Sequence, residues 1–195
     1  MTASAALGFT VRTGRAVTVV VEGTRRAPTL VLRHEIGLAD PWVPESGHPS
    51  HRELGNSGPA GEQARRRGCD AARRASQRAI GAFLTEARAH RIEPRVAAIV
   101  TSSLIDPERV PGAHARAHAQ EDRLYRDAVE GALADCGVRI VTFLDKNVRV
   151  EADRQLAGAG RPIDETLKVF SHVVGTPWSA PEKQAALAAW LVLPR

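Results

Sequence analysis

Val96-Ala97-Ala98-Ile99-Val100-Thr101 is a short, unbroken apolar run. Such a run has no polar face to turn toward water. It must be a strand covered on both sides, so the chain has to supply helices above and below a sheet. A second run of this kind, residues 138–144 (VRIVTFL), follows a helical stretch over about residues 114–135. Upstream, residues 5–11 and 16–22 are apolar, β-branched runs separated by Arg12-Thr13-Gly14-Arg15, the composition of a tight hairpin. A third run, residues 29–36, follows after another short turn, which completes a three-strand antiparallel meander. Residues 62–91 are helix-compatible, with Ala64, Ala71, Ala75, Ala79, Phe83 and Ala87 on one seam and Gly68 and Gly81 weakening it. The end of the chain reads as helices over residues 150–157, 163–173 and 181–193, the last opened by a capping box from Ser179 to Glu182. Residues 38–61 carry Pro, Gly, Ser, His and Glu without any period and read as a long loop.

The order is therefore β-β-β-α-β-α-β-α, an α/β fold in one domain spanning residues 1–195. A chain of this length can bury one sizeable core. No apolar run approaches the roughly 20 residues of a membrane span, and the start, MTASAALGF, lacks the basic and apolar regions of a secretory signal. Two cysteines, Cys69 and Cys136, form neither a metal-type pair nor a disulfide framework, which points to a reduced, cytoplasmic protein. The net charge of +5 invites an anionic partner such as nucleic acid. Yet only Lys146, Lys168 and Lys183 among the 27 basic residues are lysines, a bias of GC-rich coding rather than of a polybasic surface. With 4% aromatic residues there is little to stack on exposed bases.

The element order resembles the ribonuclease H-like superfold, with a mixed five-stranded sheet and flanking helices. Leu7-Gly8-Phe9-Thr10 followed by Thr13-Gly14 is similar to the opening of Holliday-junction resolvases within it, as is Ala185-Ala186-Leu187-Ala188 to their last helix. That resemblance implies phosphodiester cleavage by divalent metals on clustered carboxylates. Here the first-strand acid position holds Thr10, the last-helix position holds Ala185, and the fourth strand ends at Thr101 without its glutamate. The family's nuclease mechanism therefore does not carry over. The actin-like ATPases share the fold and open on an acidic phosphate loop; Arg12-Thr13-Gly14-Arg15 has no acid for Mg²⁺.

The polar constellation lies elsewhere. On a helical wheel His114, His118, Glu121 and Tyr125 fall within about 60° of one another, and the same stripe becomes apolar at Ala128, Val129 and Ala132. The apolar half should pack on the sheet, which leaves the polar half at the carboxyl ends of the parallel strands, where open α/β sheets bind ligands. His118 or Glu121 would be the acid/base group with His114 beside it, and Arg126 an anion clamp. If a divalent metal binds, His114, His118 and Glu121 are its ligands. The opposing alternative is an ordinary helix start with surface ion pairs. The long loop supplies Asp40, Glu45, His48 and His51 to face the stripe, and Ser102 ends the fourth strand at the same edge. Lys183, in the first turn of the last helix, opposes the helix dipole and invites a role such as pairing with Glu182 or Glu45. The leading reading is a polar ligand-binding or hydrolytic pocket for an anionic small molecule. Its competitors are a catalytically silent nucleic-acid-binding module and a homodimeric scaffold.

Overall fold

The computed structural model describes residues 4–56, 58–158 and 160–195; residues 1–3 of the signal-peptide reading and residue 57 of the expected loop lie outside these. Strands β1 (Ala5–Arg12), β2 (Arg15–Gly23), β3 (Pro28–Gly37), β4 (Pro94–Thr101) and β5 (Arg139–Leu144) form one mixed sheet in the order β3-β2-β1-β4-β5. β1 runs antiparallel to β2 and parallel to β4, and β5 continues parallel to β4. The first hairpin closes on Thr13-Gly14, with Arg12 opposite Arg15 and Gly14 at φ +76°. Glycine adopts that backbone without the Cβ clash other residues meet.

Helices cover both faces, as the unbroken strand runs require. On one face, Leu7, Phe9, Val20 and Ile99 pack with α2 (Pro59–Ala89) and α3 (Ala113–Asp135) through Ile80, Phe83, Leu84, Val129 and Leu133. On the other, Ala6, Val19, Ala98 and Val100 meet α4 (Asp145–Gln155), α5 (Ile163–Val174) and α6 (Ala180–Leu191). Residues 185–191 of α6 are buried all round, which places it under its neighbours and directly on β1. Gly8 makes this approach feasible. A Cβ there would overlap the Ala185 carbonyl and stand 3.1 Å from the Ala189 Cβ.

The start of α6 follows the expected capping box. Ser179 N–H and Oγ–H both donate to Glu182. Burial alone would raise the Glu182 carboxyl, but the hydrogen bonds from Ser179 and the backbone, with Arg33 at 4.0 Å, hold it below its ordinary value. A depressed folded-state pKa stabilises the fold above the unfolded-state value and ceases to do so as pH falls through the folded value. Glu182→Gln therefore lowers stability at pH 7 by about 1 kcal/mol. The gap between the two proteins closes below about pH 4, which urea melts across pH 3–7 would read.

Three expectations need correction. Residues 38–61 are not an aperiodic loop: they contain a 3₁₀ turn (Pro44–Ser46), helix α1 (Pro49–Gly55) and the first turn of α2. Each of these begins with proline in its opening turn, where the missing N–H costs nothing. The turn is tied down by Ser46, whose hydroxyl accepts from Asp40 N–H and donates to Asp40 O. Gly68, read as weakening α2, is where the Glu45 backbone crosses it; a Cβ there would lie 2.6 Å from the Glu45 carbonyl oxygen. The helix expected from residue 150 starts instead at Asp145, immediately after β5. The Asp145 carboxylate accepts from Lys146 N–H at 2.6 Å and so satisfies a free amide of that first turn.

Candidate metal centre

Helix α3 starts beyond the carboxyl end of β4, after the 3₁₀ turn Pro107–Arg109. Its first two turns therefore project from the sheet edge, as the change from polar to apolar along the stripe requires. His114 and His118 stand one above the other with ring centroids 4.6 Å apart and Nε2 atoms 3.2 Å apart. The third imidazole comes from α1: the His51 ring lies 4.9 Å from His114 and 4.3 Å from His118. One ligand nitrogen from each of the three falls within 4.8 Å of the others.

Glu121 arranges this convergence. It is 0% exposed. Its Oε1 accepts from His51 Nδ1–H at 2.9 Å and from the His51 backbone N–H at 3.2 Å, and Oε2 accepts from His48 Nδ1–H at 3.1 Å. A carboxylate that takes the Nδ1 proton fixes the His51 tautomer and leaves the lone pair on Nε2. That Nε2 is buried and has no hydrogen-bond partner. Among the described residues Glu121 pairs with histidines alone, with no Lys or Arg to balance its charge. A buried carboxylate needs a balancing positive charge, which a dication on His51 Nε2 would supply through the ring.

Tyr125, one turn further along the stripe, anchors the α1 side. Its hydroxyl donates to the carbonyls of Ser46 and Gly47. Burial, aided by the Glu121 charge, pushes its pKa up, which keeps it a neutral donor. The segment ahead of α1 is thus pinned to α3, and His48 and His51 are delivered to Glu121.

The geometry suits a metal ion. Three nitrogens bound at 2.0–2.1 Å around a tetrahedral ion sit about 3.3 Å apart. The His114–His118 pair is already at 3.2 Å, and a ligand nitrogen of His51 lies within 4.8 Å of both. His51 has a structured second partner in Glu121, the carboxylate–histidine–metal arrangement that orients ligands and raises their basicity. His114 and His118 are exposed, so a fourth position would face solvent.

The other residues expected at this site are placed elsewhere, and the pocket drawn from them is corrected accordingly. Asp40 pairs with Arg78 at 3.0 Å and accepts from Trp42 N–H. Glu45 pairs with Arg67 at 3.1 Å. Ser102 donates to Asp122 at 2.9 Å. Arg126 donates to the Ser103 carbonyl at 3.0 Å and pairs with Asp127 and Glu130, so its guanidinium is occupied. Glu121, expected as an acid/base group or ligand, is fully buried, with both carboxylate oxygens taken up by His48 and His51. His48 joins the site although the stripe alone did not nominate it; its place three residues before His51, across Pro49, was the available signal. Lys183 pairs with neither Glu182 nor Glu45 among the described contacts and borders a separate cleft. Glu121→Gln keeps the shape but removes one acceptor and the charge, so metal affinity should fall about 10–100-fold, readable by competition with a chromophoric chelator.

At the positions where the resolvase resemblance places acids, the described structure has closed neutral groups. Thr10 donates to the Pro181 carbonyl at 2.8 Å, Thr101 to the Ser103 carbonyl at 3.3 Å, and Ala185 is buried against β1. No helix among the described residues is long and apolar enough to cross a membrane.

No protein-family model matches the sequence, and no curated protein matches it. Solved structures do. The chain is similar to Thermus thermophilus RuvC in complex with Holliday junction substrate, at 13% identity and a TM-score of 0.55, over 96% of this chain and 91% of that one. It also matches a second Thermus thermophilus RuvC structure at 14% identity, over 96% and 92% of the two chains, with a TM-score of 0.49. At 13% identity the first of these establishes the architecture alone: an α/β, ribonuclease H-like fold with a mixed five-stranded sheet.

Proposed function

We propose that the protein carries a mononuclear transition-metal centre, zinc by its donor set, on a ribonuclease H-like scaffold, and uses it to bind and hydrolyse a small anionic substrate. One observation carries this reading: the buried, unpartnered Nε2 of His51, held toward His114 and His118 by a fully buried Glu121. With only the Glu121 carboxylate behind His51 set against it, a dication on three neutral imidazoles would keep a net positive charge. An anionic group is then drawn to the open fourth position, and a water there becomes a nucleophile near neutral pH. His114 and His118 hold the ion at the solvent side, His51 completes the set, and Glu121 and His48 orient it. The carboxylate-dependent nuclease mechanism is set aside, because Thr10, Thr101 and Ala185 supply no acid. Metal analysis of protein purified without chelator tests the reading: one equivalent per chain is expected, with turnover of the anionic bis(p-nitrophenyl) phosphate that His118→Ala abolishes. Absence of bound zinc after zinc dialysis overturns it.

A second reading rests on the likeness to a RuvC bound to its junction and on Arg66, Arg73 and Arg74 along the exposed side of α2. In that reading the protein binds branched nucleic acid without cutting it. Retention of four-way junction DNA with a steep salt dependence, unaffected by His118→Ala, would favour it over the hydrolytic one.

A further inference from the structure

The three lysines of this arginine-rich chain, Lys146, Lys168 and Lys183, fall one each on α4, α5 and α6. Lys168 and Lys183 border a cleft of about 540 Å³ between these helices. The cleft lies across the sheet from the histidines. Val148, Leu167 and Leu187, each under 10% exposed, form an apolar floor, and Trp178 forms a wall. The rim is polar, and its one guanidinium is occupied: Arg149 grips Asp164 through two bonds of 2.6 and 3.0 Å and Asp153 through a third at 3.0 Å. Neither lysine forms a salt bridge within 4.0 Å among the described residues. Asp145 and Asp164 share the rim, and Asp164, already held low by Arg149, also feels the Lys183 charge, so the three cations outnumber the two acids by one.

Lys183 stands in the first turn of α6, where the helix dipole repels a cation. A bound anion reverses that penalty, because it gains both from the ammonium and from the helix start. The volume falls in the range of small-molecule pockets, which are mostly apolar with a few orienting polar groups. The apolar floor and flat indole select the body of the ligand, and the two ammonium groups select its charge.

We propose that this cleft binds a small aromatic carboxylate, its ring against Trp178 and Leu187 and its carboxylate between Lys168 and Lys183. The site is independent of the metal centre, so either can fail without the other. The test is titration of the ¹⁵N-labelled full chain with 1-naphthoate, following the indole N–H resonances of Trp42, Trp178 and Trp190. The Trp178 signal, assigned with Trp178→Phe, moves saturably; those of Trp190 in the core and Trp42 on the far loop do not. Neutral 1-naphthalenemethanol binds about tenfold more weakly, and Lys168→Met with Lys183→Met weakens naphthoate about tenfold at an unchanged melting temperature. His118→Ala leaves the titration unaltered. An unmoved Trp178 resonance overturns the site. Equal binding of the alcohol, or wild-type affinity in the double variant, overturns the role of the lysines and with it the carboxylate assignment.

Discussion

Zinc added to metal-stripped protein at a thousandfold excess over its dissociation constant raises the melting temperature by about 8–16 °C. The figure follows from linkage. A ligand that binds only the folded chain at that saturation adds about 4 kcal/mol, and a protein of this size gains about 2–4 °C per kcal/mol. His51→Ala and His118→Ala should each remove most of the shift while leaving the melting temperature of the metal-stripped protein little changed for His118, which is exposed. His51 also anchors Glu121, so its loss should lower the metal-free value as well. Magnesium should give no shift, since a hard cation prefers oxygen donors over imidazole. Equal shifts in wild type and His118→Ala by differential scanning calorimetry would exclude the centre.

Gly8→Ala destabilises the fold by about 3 kcal/mol or more and lowers the melting temperature by about 6–12 °C. The added methyl meets the Ala185 carbonyl, and a backbone group inside a buried helix cannot step aside as a side-chain tip can. α6 would have to lift from β1 and lose contact with the sheet along residues 185–191. Gly81→Ala is the matched control. Nothing lies within 4 Å of its added Cβ in α2, and alanine is favoured over glycine in a helix by about 0.5–1 kcal/mol, so that variant should melt slightly higher. If both variants melt alike, the close approach of α6 to β1 is wrong.

The strands were legible because each is an apolar run whose burial leaves no alternative face. The stripe on α3 was legible because His114, His118, Glu121 and Tyr125 keep helical spacing in a long helix with a clear apolar continuation. Helix α1 was not: seven residues make two turns, too few for a period to declare itself, and its opening proline reads as a breaker when it is a starter. The membership of the site was half legible. The loop was expected to face the stripe, and His51 does, but the sequence offered Asp40 and Glu45 on equal terms. What separated them was which arginines α2 brings near: Arg78 takes Asp40 and Arg67 takes Glu45. That choice depends on how two helices lie against each other, which spacing along one chain does not encode. The lysine-bordered cleft was invisible for the same reason, since its floor comes from three helices in separate stretches of the chain.

The junction of α1 with α3 has a topological meaning. About sixty residues separate His51 from His114, and that interval holds all of α2 and β4, the strand beside the centre of the sheet. An ion shared by both ends turns this interval into a ring. Closing a ring of that size strips the unfolded chain of freedom much as a disulfide would, by about 4 kcal/mol in the chain-entropy picture. A reducing compartment dissolves a disulfide but leaves imidazole–metal bonds intact. The cofactor would then act as a staple as well as a reagent, and a nick anywhere within the ring would leave the two pieces held together.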